Sequence, residues 1–290
     1  MNNLAFVVLN YNSADDTIRC VERLLSFNKN FWIIIVDNFS SDDSQERISK
    51  QFKSKKKIIL LPSEENRGYA AGNNIGIKYA IGTLNVEYIG IINPDVLIPY
   101  NLLEKILTAF SIHEDIVLLS GEMEWNNAKV TNYWDIPTSR NIVTQHSLFF
   151  KNKKEVKNTK KISSNVMEVE CVSGAFFIAK SFILESINYL DEGTFLYNEE
   201  NILGINIKKR GFKEAIIKNE FYLHLHPIDK RKKIPLKNKI ISSEPSYKSS
   251  KYLLEKYYNG KKLRSLFLAE VSNKVFLFLA YLKKLITYEK

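Results

Sequence analysis

The sequence predicts an α/β fold: a mostly parallel central sheet flanked by helices, with a helical appendage at the C-terminal end. Three observations carry that prediction. Between Leu4 and Phe110 four apolar runs alternate with segments of helical periodicity, the alternation that builds parallel strand–helix–strand units. All four runs end in polar loops, which carry Asn10 and Asn12, Asp37 and Asn38, Glu64 to Arg67, and Asn93 and Asp95. The fourth run, Tyr88 to Ile92, stops abruptly at Asn93-Pro94-Asp95. Pro94 cannot donate to a sheet ladder and holds Asn93 extended, so Asp95 is presented at the C-terminal edge, where open α/β sheets bind ligands.

Taken in order, Leu4 to Leu9 reads as a strand buried on both faces. Asp15 and Asp16 then open a helix that carries Ile18, Val21, Leu24 and Leu25 on one face, with its acids at the end where the helix dipole favours them. Trp32 to Val36 repeats the pattern and ends in Asp37-Asn38-Phe39-Ser40-Ser41, before a polar helix over 42–52. The third run, Lys57 to Leu61, leads through Pro62–Gly68 to a helix over 70–81. Along it Gly68, Gly72 and Gly76 recur every fourth residue, so one face admits a backbone or a ligand closely. The spacing fits neither a dinucleotide fingerprint nor a Walker loop. Pro99 starts a helix carrying Leu102, Leu103, Ile106, Leu107 and Phe110.

Residues 122–165 read as loops and short antiparallel strands, the kind of region that carries variable recognition. A strand with a small-residue break at Ser173-Gly174-Ala175 follows over 168–178, then the polar segments 190–195 and 197–201. Next comes a helix to about Arg210, closed by Gly211. Tyr222 to His226 alternates like a strand and puts His224 and His226 on one side.

The chain has 290 residues, 45% of them hydrophobic, enough for one large domain or for one with a substantial C-terminal appendage. Its net charge of +10 points to a negatively charged partner: nucleotide phosphate, membrane surface or nucleic acid. Cys20 and Cys171 sit in apolar surroundings and read as buried free thiols of a reducing compartment. The N-terminal apolar run is too short for a secretory signal, and no stretch has the eighteen or so uncharged apolar residues of a transmembrane helix. A cytoplasmic location is expected.

Eight segments, in sequence order, resemble glycosyltransferase family 2, the inverting enzymes of the GT-A fold, a Rossmann-like sheet flanked by helices. They are Val8-Leu9-Asn10-Tyr11-Asn12, Ile35-Val36-Asp37-Asn38, the stretch from Asn66 to Asn74, Asn93-Pro94-Asp95, Val172-Ser173-Gly174-Ala175, Leu190-Asp191-Glu192, Tyr197-Asn198-Glu199-Glu200 and His224. Within the family they are most similar to the bacterial rhamnosyltransferase-like branch that builds capsules and O-antigens.

That resemblance implies a catalytic domain over 1–228, with a nucleotide-sugar-binding half at 1–120 and an acceptor and catalytic half at 121–228. It also implies that Leu9, Tyr11, Asp37, Asn38, Arg67, Gly72, Asn73 and Asn93 hold a UDP- or dTDP-sugar, dTDP-rhamnose by subgroup likeness. Asp37 would accept a hydrogen bond from the imide N–H shared by uracil and thymine, Tyr11 would flank the base, and Arg67 would lie near the nucleotide or diphosphate. Asp95 matches the last acid of the family's Asp-x-Asp motif. Asn93 replaces the first, which leaves one strong oxygen ligand for Mn2+ or Mg2+, with His224 or its competitor His226 to complete the site. Glu200 falls at the catalytic-base position with Glu199 beside it, where many relatives carry Glu-Asp.

Residues 229–290 read as a basic linker, with its cations concentrated at 229–239, and an amphipathic helical region. Leu263, Leu266, Phe267, Val271, Val275, Phe278, Leu282 and Leu285 keep helical spacing. They fit a helix lying on an anionic membrane beside a lipid-linked acceptor, and equally one packed on the catalytic domain or forming a homodimer. A glycan acceptor is expected and nucleic acid is not. A nucleotidyltransferase would carry a glycine-rich basic loop after its first strand, which this chain lacks. A basic nucleic-acid-binding protein, or an inactive partner subunit hinted at by Asn93, are the other readings.

Overall fold

The computed structural model describes residues 3–146, 156–225 and 236–288. Strand β1 (Leu4–Asn10) leads through helix α1 (Ala14–Leu25) to β2 (Trp32–Asp37), and α2 (Ser44–Phe52) leads to β3 (Ile58–Pro62). Helix α3 (Tyr69–Gly82) brings the chain back across the sheet to β4 (Tyr88–Ile92), followed by the short β5 (Val96–Leu97) and α4 (Tyr100–Ile112). The second half holds β6 (Ile116–Trp125), β7 (Ala128–Val130), β8 (Tyr133–Trp134), α5 (Ser139–Gln145), β9 (Lys160–Lys161), β10 (Val166–Val169), β11 (Cys171–Val172) and β12 (Phe176–Lys180). Helices α6 (Ser181–Ser186) and α7 (Glu199–Lys209) precede β13 (Lys213–His224), and α8 (Leu236–Tyr257) and α9 (Leu263–Tyr288) complete the described chain.

The main sheet runs β3-β2-β1-β4-β12-β6-β13-β10-β9. Pairing is parallel from β3 to β4, as the strand–helix alternation of the first half predicts. Beyond β4 the sheet is mixed: β12 is antiparallel to β4 and β6, β13 is parallel to β6, and β10 and β9 are antiparallel again. Only β9 and β10 of these neighbours are joined by a short link, which needs no crossover helix and so pairs its strands antiparallel.

Both faces of β1, β2 and β4 are buried and those of the edge strand β3 are partly so, and all four read as unbroken apolar runs. Leu4, Phe6 and Val8 of β1 face a core formed with α1, α2 and α4, while Ala5 and Val7 face the core under α3, α6 and α7. The glycines of α3 allow its close seat on the sheet. A Cβ on Gly72 or Gly76 would lie 2.5 Å from the side chain of Leu9 or Val7. Gly68, at φ +94, caps the helix where a Cβ would meet the Phe195 carbonyl oxygen at 2.1 Å.

The C-terminal helices pack on the domain instead of trailing from it. Leu253 and Leu254 of α8 and Leu266 of α9 share a small core with Ile142 of α5 and Ile202 and Ile205 of α7. Among the described residues no helix is long and apolar enough to cross a membrane. Cys20 and Cys171 are buried and unbridged. His226 and most of the basic run at 229–239 lie outside the described residues.

Gly68→Ala combines a Cβ collision with main chain and a φ that L-residues rarely adopt. It is expected to lower unfolding free energy by about 2 kcal/mol or more in urea titration. An unchanged midpoint would contradict the seat described for α3.

Candidate active site

The four strand tips of the parallel half share one edge, and the register sets their levels. Asn10 pairs with Asp37 and Val8 with Ile92, so the turns after β1, β2 and β4 leave the sheet side by side. Asp37 is only 3% exposed, and a carboxylate that deep must be hydrogen-bonded. Its Oδ1 accepts from Asn10 Nδ2 and Ser40 Oγ, both at 2.7 Å, and its Oδ2 accepts the Ser40 amide at 3.1 Å. Asn12 Oδ1 accepts the Ser41 amide at 2.8 Å. Asp37 therefore braces the two loops, in which the rings of Tyr11 and Phe39 are exposed.

Asn38 ties the second loop to the third by donating to Asn66 Oδ1 at 3.0 Å, and its own Oδ1 is buried without a hydrogen-bond partner. Leu9 and Gly72 meet each other in the helix–sheet contact, and Asn73 donates to the Tyr69 carbonyl. The guanidinium of Arg67 faces Glu192 at 3.1 Å and Glu65 at 3.6 Å, more than half exposed. Of the expected donor contacts, this group gathers at the β1–β2–β3 end of the edge.

Asp95 and His224 come together from distant parts of the chain. β13 pairs with β5 in the register His224↔Val96 and with β6 in the register His224↔Trp125. The first brings His224 Nε2 to 3.1 Å from Asp95 Oδ2, and the second stacks the imidazole against the Trp125 ring. The Leu225 amide donates to the Asp95 carbonyl at 2.8 Å. No cluster of three or more His, Cys, Asp or Glu side chains able to hold a metal occurs among the described residues. A carboxylate oxygen and an imidazole nitrogen at one point do fit a divalent cation that completes its shell with phosphate oxygens and water. The pair suits a shared site, not a structural one.

Beside this pair opens a cavity of about 480 Å³ whose lining includes Asn93, His224, Glu199, Glu200, Trp134 and Asn141. The small residues between β11 and β12 form one wall. The Gly174 amide donates to Glu200 Oε1 at 3.2 Å, and its carbonyl accepts from Tyr69 Oη at 2.6 Å. A Cβ on Gly174 would stand 3.1 Å from that hydroxyl.

Glu199 and Glu200 start α7, where the helix N-terminus favours negative charge, yet their surroundings differ. Glu199 is buried, and burial, reinforced by the adjacent Glu200, pushes its carboxyl up to about 8. The pair thus has one member held toward its neutral form, while Glu200 lines the cavity with the Gly174 amide beside it. Below them Glu214 of β13 is fully buried, its Oε2 accepting the Val172 amide at 3.0 Å, and burial raises its carboxyl well above the usual range.

The structure adds residues that sequence reasoning did not single out. Phe39 was legible as a lone aromatic in a polar loop. Tyr69 and Asn198 lie inside the family-like segments without a role of their own, and Trp134 had no local signal, because its partner Asn201 lies 67 positions along the chain.

A family model described as glycosyl transferase family 2 matches residues 5–180. The low-salt glycan biosynthesis hexosyltransferase Agl10 of Haloferax volcanii is 26% identical over 200 residues, covering 69% of this chain and 60% of that protein. The glycosyltransferase GlyG of Streptococcus pneumoniae serotype 4 is 32% identical over 104 residues, 36% of this chain and 33% of its own length. The chain therefore spans less than two thirds of either relative. Among solved structures, GalNAc-T7 with UDP, GalNAc and Mn2+ aligns with a TM-score of 0.62 at 13% identity, over 83% of this chain and 47% of that one. The mannosyltransferase PcManGT of Pyrobaculum calidifontis, with GDP-Man and Mn2+, aligns at 0.57 and 13% identity, over 99% and 81%. At such identities the likeness is one of fold.

Between the ordinary carboxyl value of 4.5 and about 8, Glu199 holds a proton in the folded chain that the unfolded chain lacks. The contribution of this group to stability therefore falls as pH rises through that window. Glu199→Gln removes the dependence, so the melting temperature of the variant relative to the parent should rise between pH 5 and pH 8. An identical difference at both values would contradict the burial assigned to Glu199.

Proposed function

The chain belongs to glycosyl transferase family 2, and on that premise we propose that it is an inverting, metal-dependent glycosyltransferase acting from a nucleoside-diphosphate sugar onto a glycan hydroxyl. The observation that carries this reading is the cavity into which His224, paired with Asp95, and the Glu199–Glu200 pair both open. One end suits a diphosphate with its cation and the other suits a hydroxyl that must lose a proton. The GT-A fold and the nucleotides and Mn2+ named for the two structural neighbours support the same donor class.

In this reading Tyr11 and Phe39 flank the base, Asp37 and Asn38 shape its seat, and Asn93, Asp95 and His224 face the diphosphate. Glu200 takes the proton of the acceptor hydroxyl as its oxygen attacks the anomeric carbon from the side opposite the diphosphate. A new carbon–oxygen bond forms, the bond to the phosphate oxygen breaks, and configuration inverts. A divalent cation held by Asp95 and His224 would neutralise the charge growing on the leaving diphosphate. Protonated Glu199 keeps a second negative charge away from Glu200. The resemblance to rhamnosyltransferases of capsule and O-antigen synthesis makes dTDP-rhamnose the first donor to test, with UDP-sugars next.

The exposed face of α9 supports a lipid-linked acceptor. Phe267, Leu268, Val271, Val275, Phe278 and Leu279 are all exposed along it, with Arg264 and Lys274 on the same helix and the basic run at 229–239 preceding it. An apolar stripe edged by cations fits the surface of an anionic bilayer.

Asp95→Asn and Glu200→Gln should each lower donor turnover by about 100-fold or more; full activity in both would overturn the mechanism. UDP or dTDP with Mn2+ should raise the melting temperature, since a ligand at 100 times its Kd adds about 2.7 kcal/mol. No shift with any nucleotide would remove the donor assignment. In flotation with phosphatidylglycerol vesicles the protein should co-float and a Phe267→Asp/Phe278→Asp variant should not. Unchanged flotation of the variant would reject α9 as the contact.

A further inference from the structure

Just before Glu199 the backbone passes through two consecutive left-handed residues, Tyr197 at φ 77 and Asn198 at φ 70. Neither is glycine, so the turn is held against its own preference by surroundings that over-determine it. Those surroundings are α8. Ser249 Oγ donates to the Leu196 carbonyl at 2.8 Å, and Ser250 Oγ accepts from Asn198 Nδ2 at 3.2 Å. Both serines are almost wholly buried. Upstream in the same loop, Asp191 accepts from Tyr252 Oη at 2.7 Å and from Lys256 Nζ at 2.8 Å, and also from Tyr257 Oη, all on α8.

The Asn198–Ser250 contact belongs to a longer buried chain. Trp134 Nε1 donates to Asn201 Oδ1 at 2.7 Å, and Asn201 Nδ2 donates to Asn198 Oδ1 at 2.8 Å. Beyond Asn198, Ser250 Oγ lies 2.9 Å from His146 Nε2, and His146 Nδ1 faces Glu270 of α9 at 3.7 Å. A neutral His146 protonated at Nδ1 makes every donor point the same way, from Trp134 in the cavity wall to the Glu270 carboxylate. Bonds aligned in series polarise one another and fix geometry more firmly than isolated ones.

We propose that α8 is part of the catalytic apparatus: Ser249 and Ser250 are positioning residues that hold the Leu196–Asn198 turn and thereby aim Glu200 into the cavity. The proposal rests on Glu200 as the base. The serines touch no substrate in this account; they act on the carboxylate through the turn that starts its helix.

The test is steady-state kinetics on the full chain, with Ser250→Ala, Ser249→Ala and Ser250→Thr, each made in the parent and in Glu200→Gln. The alanine variants should lose about 10- to 100-fold in kcat, the scale of a misplaced catalytic group, with donor KM nearly unchanged and the chain still folded at the assay temperature. Ser250→Thr keeps the hydroxyl and should recover most of the loss. In the Glu200→Gln background the same alanine changes should cost nothing more, because residues acting as a unit are not additive. Full kcat in both alanine variants, or an equal further loss in the Glu200→Gln background, would overturn the proposal. Full activity of Glu200→Gln alone would instead remove the base assignment, so the two failures are distinguishable.

Discussion

The parallel register of β2, β1 and β4 is the constraint on which the site depends. Neighbouring strands stand about 4.8 Å apart, so the tips of β2 and β4 are separated by roughly 10 Å across β1. Because both faces of these strands are buried, a slip of one residue would exchange the side chains facing the two cores. Gly90 illustrates how closely the register is specified: a Cβ there would stand 2.6 Å from the Phe6 ring. With the strands locked, the polar turns at Asn10, Asp37 and Asn93 have one place to go; the first two spend their hydrogen bonds on one another, and the Asn93 amide donates to the Ala175 carbonyl. Asp37 does this most fully, bracing loops that hold exposed aromatic rings outward.

The mixed half supplies what the parallel half lacks. β13 reaches the active edge by pairing with β6 and β5, and that pairing delivers His224 to Asp95. The link between β11 and β12 delivers the Gly174 amide to Glu200. Two adjacent glutamates then divide their roles by environment. The one sunk into the protein is pushed toward its neutral form, and the other opens on the cavity with an amide donor beside it. Glu-Glu at this pair differs from the Glu-Asp of many relatives by one methylene, and the clamp from α8 fixes the turn from which that longer side chain extends.

The legible parts of this fold were those whose physics is local. β1, β2 and β4 read as strands because burial on both faces leaves no polar residue to interrupt them, the partly buried β3 is as apolar, and Pro94 marked the tip that matters. α3 read as a helix, and its glycines as a close approach, though what approaches is the side chains of β1 and the Phe195 main chain. β13 was seen only at its end, because Lys213, Glu214, Lys218 and Glu220 hide a strand whose buried acid reads as polar. α5 was missed altogether, in a segment rich in polar residues, and α8 falls in the expected C-terminal helical region without being separately marked, since it carries Pro245 and several serines. Glu200, Asp95 and His224 were found through motif order. Ser249, Ser250 and Trp134 could not be, since each acts on a residue more than fifty positions away.

The central claim is that one strand edge holds the donor, with the base over the tips of β1 and β2 and the diphosphate at Asp95 and His224. A crystal structure with UDP or dTDP and Mn2+ tests it most directly. The account predicts the base beside Tyr11 and Phe39, the metal bound by Asp95 Oδ2 and His224 Nε2, and both phosphates within reach of that metal. A nucleotide bound elsewhere, or a metal held without Asp95, would contradict it.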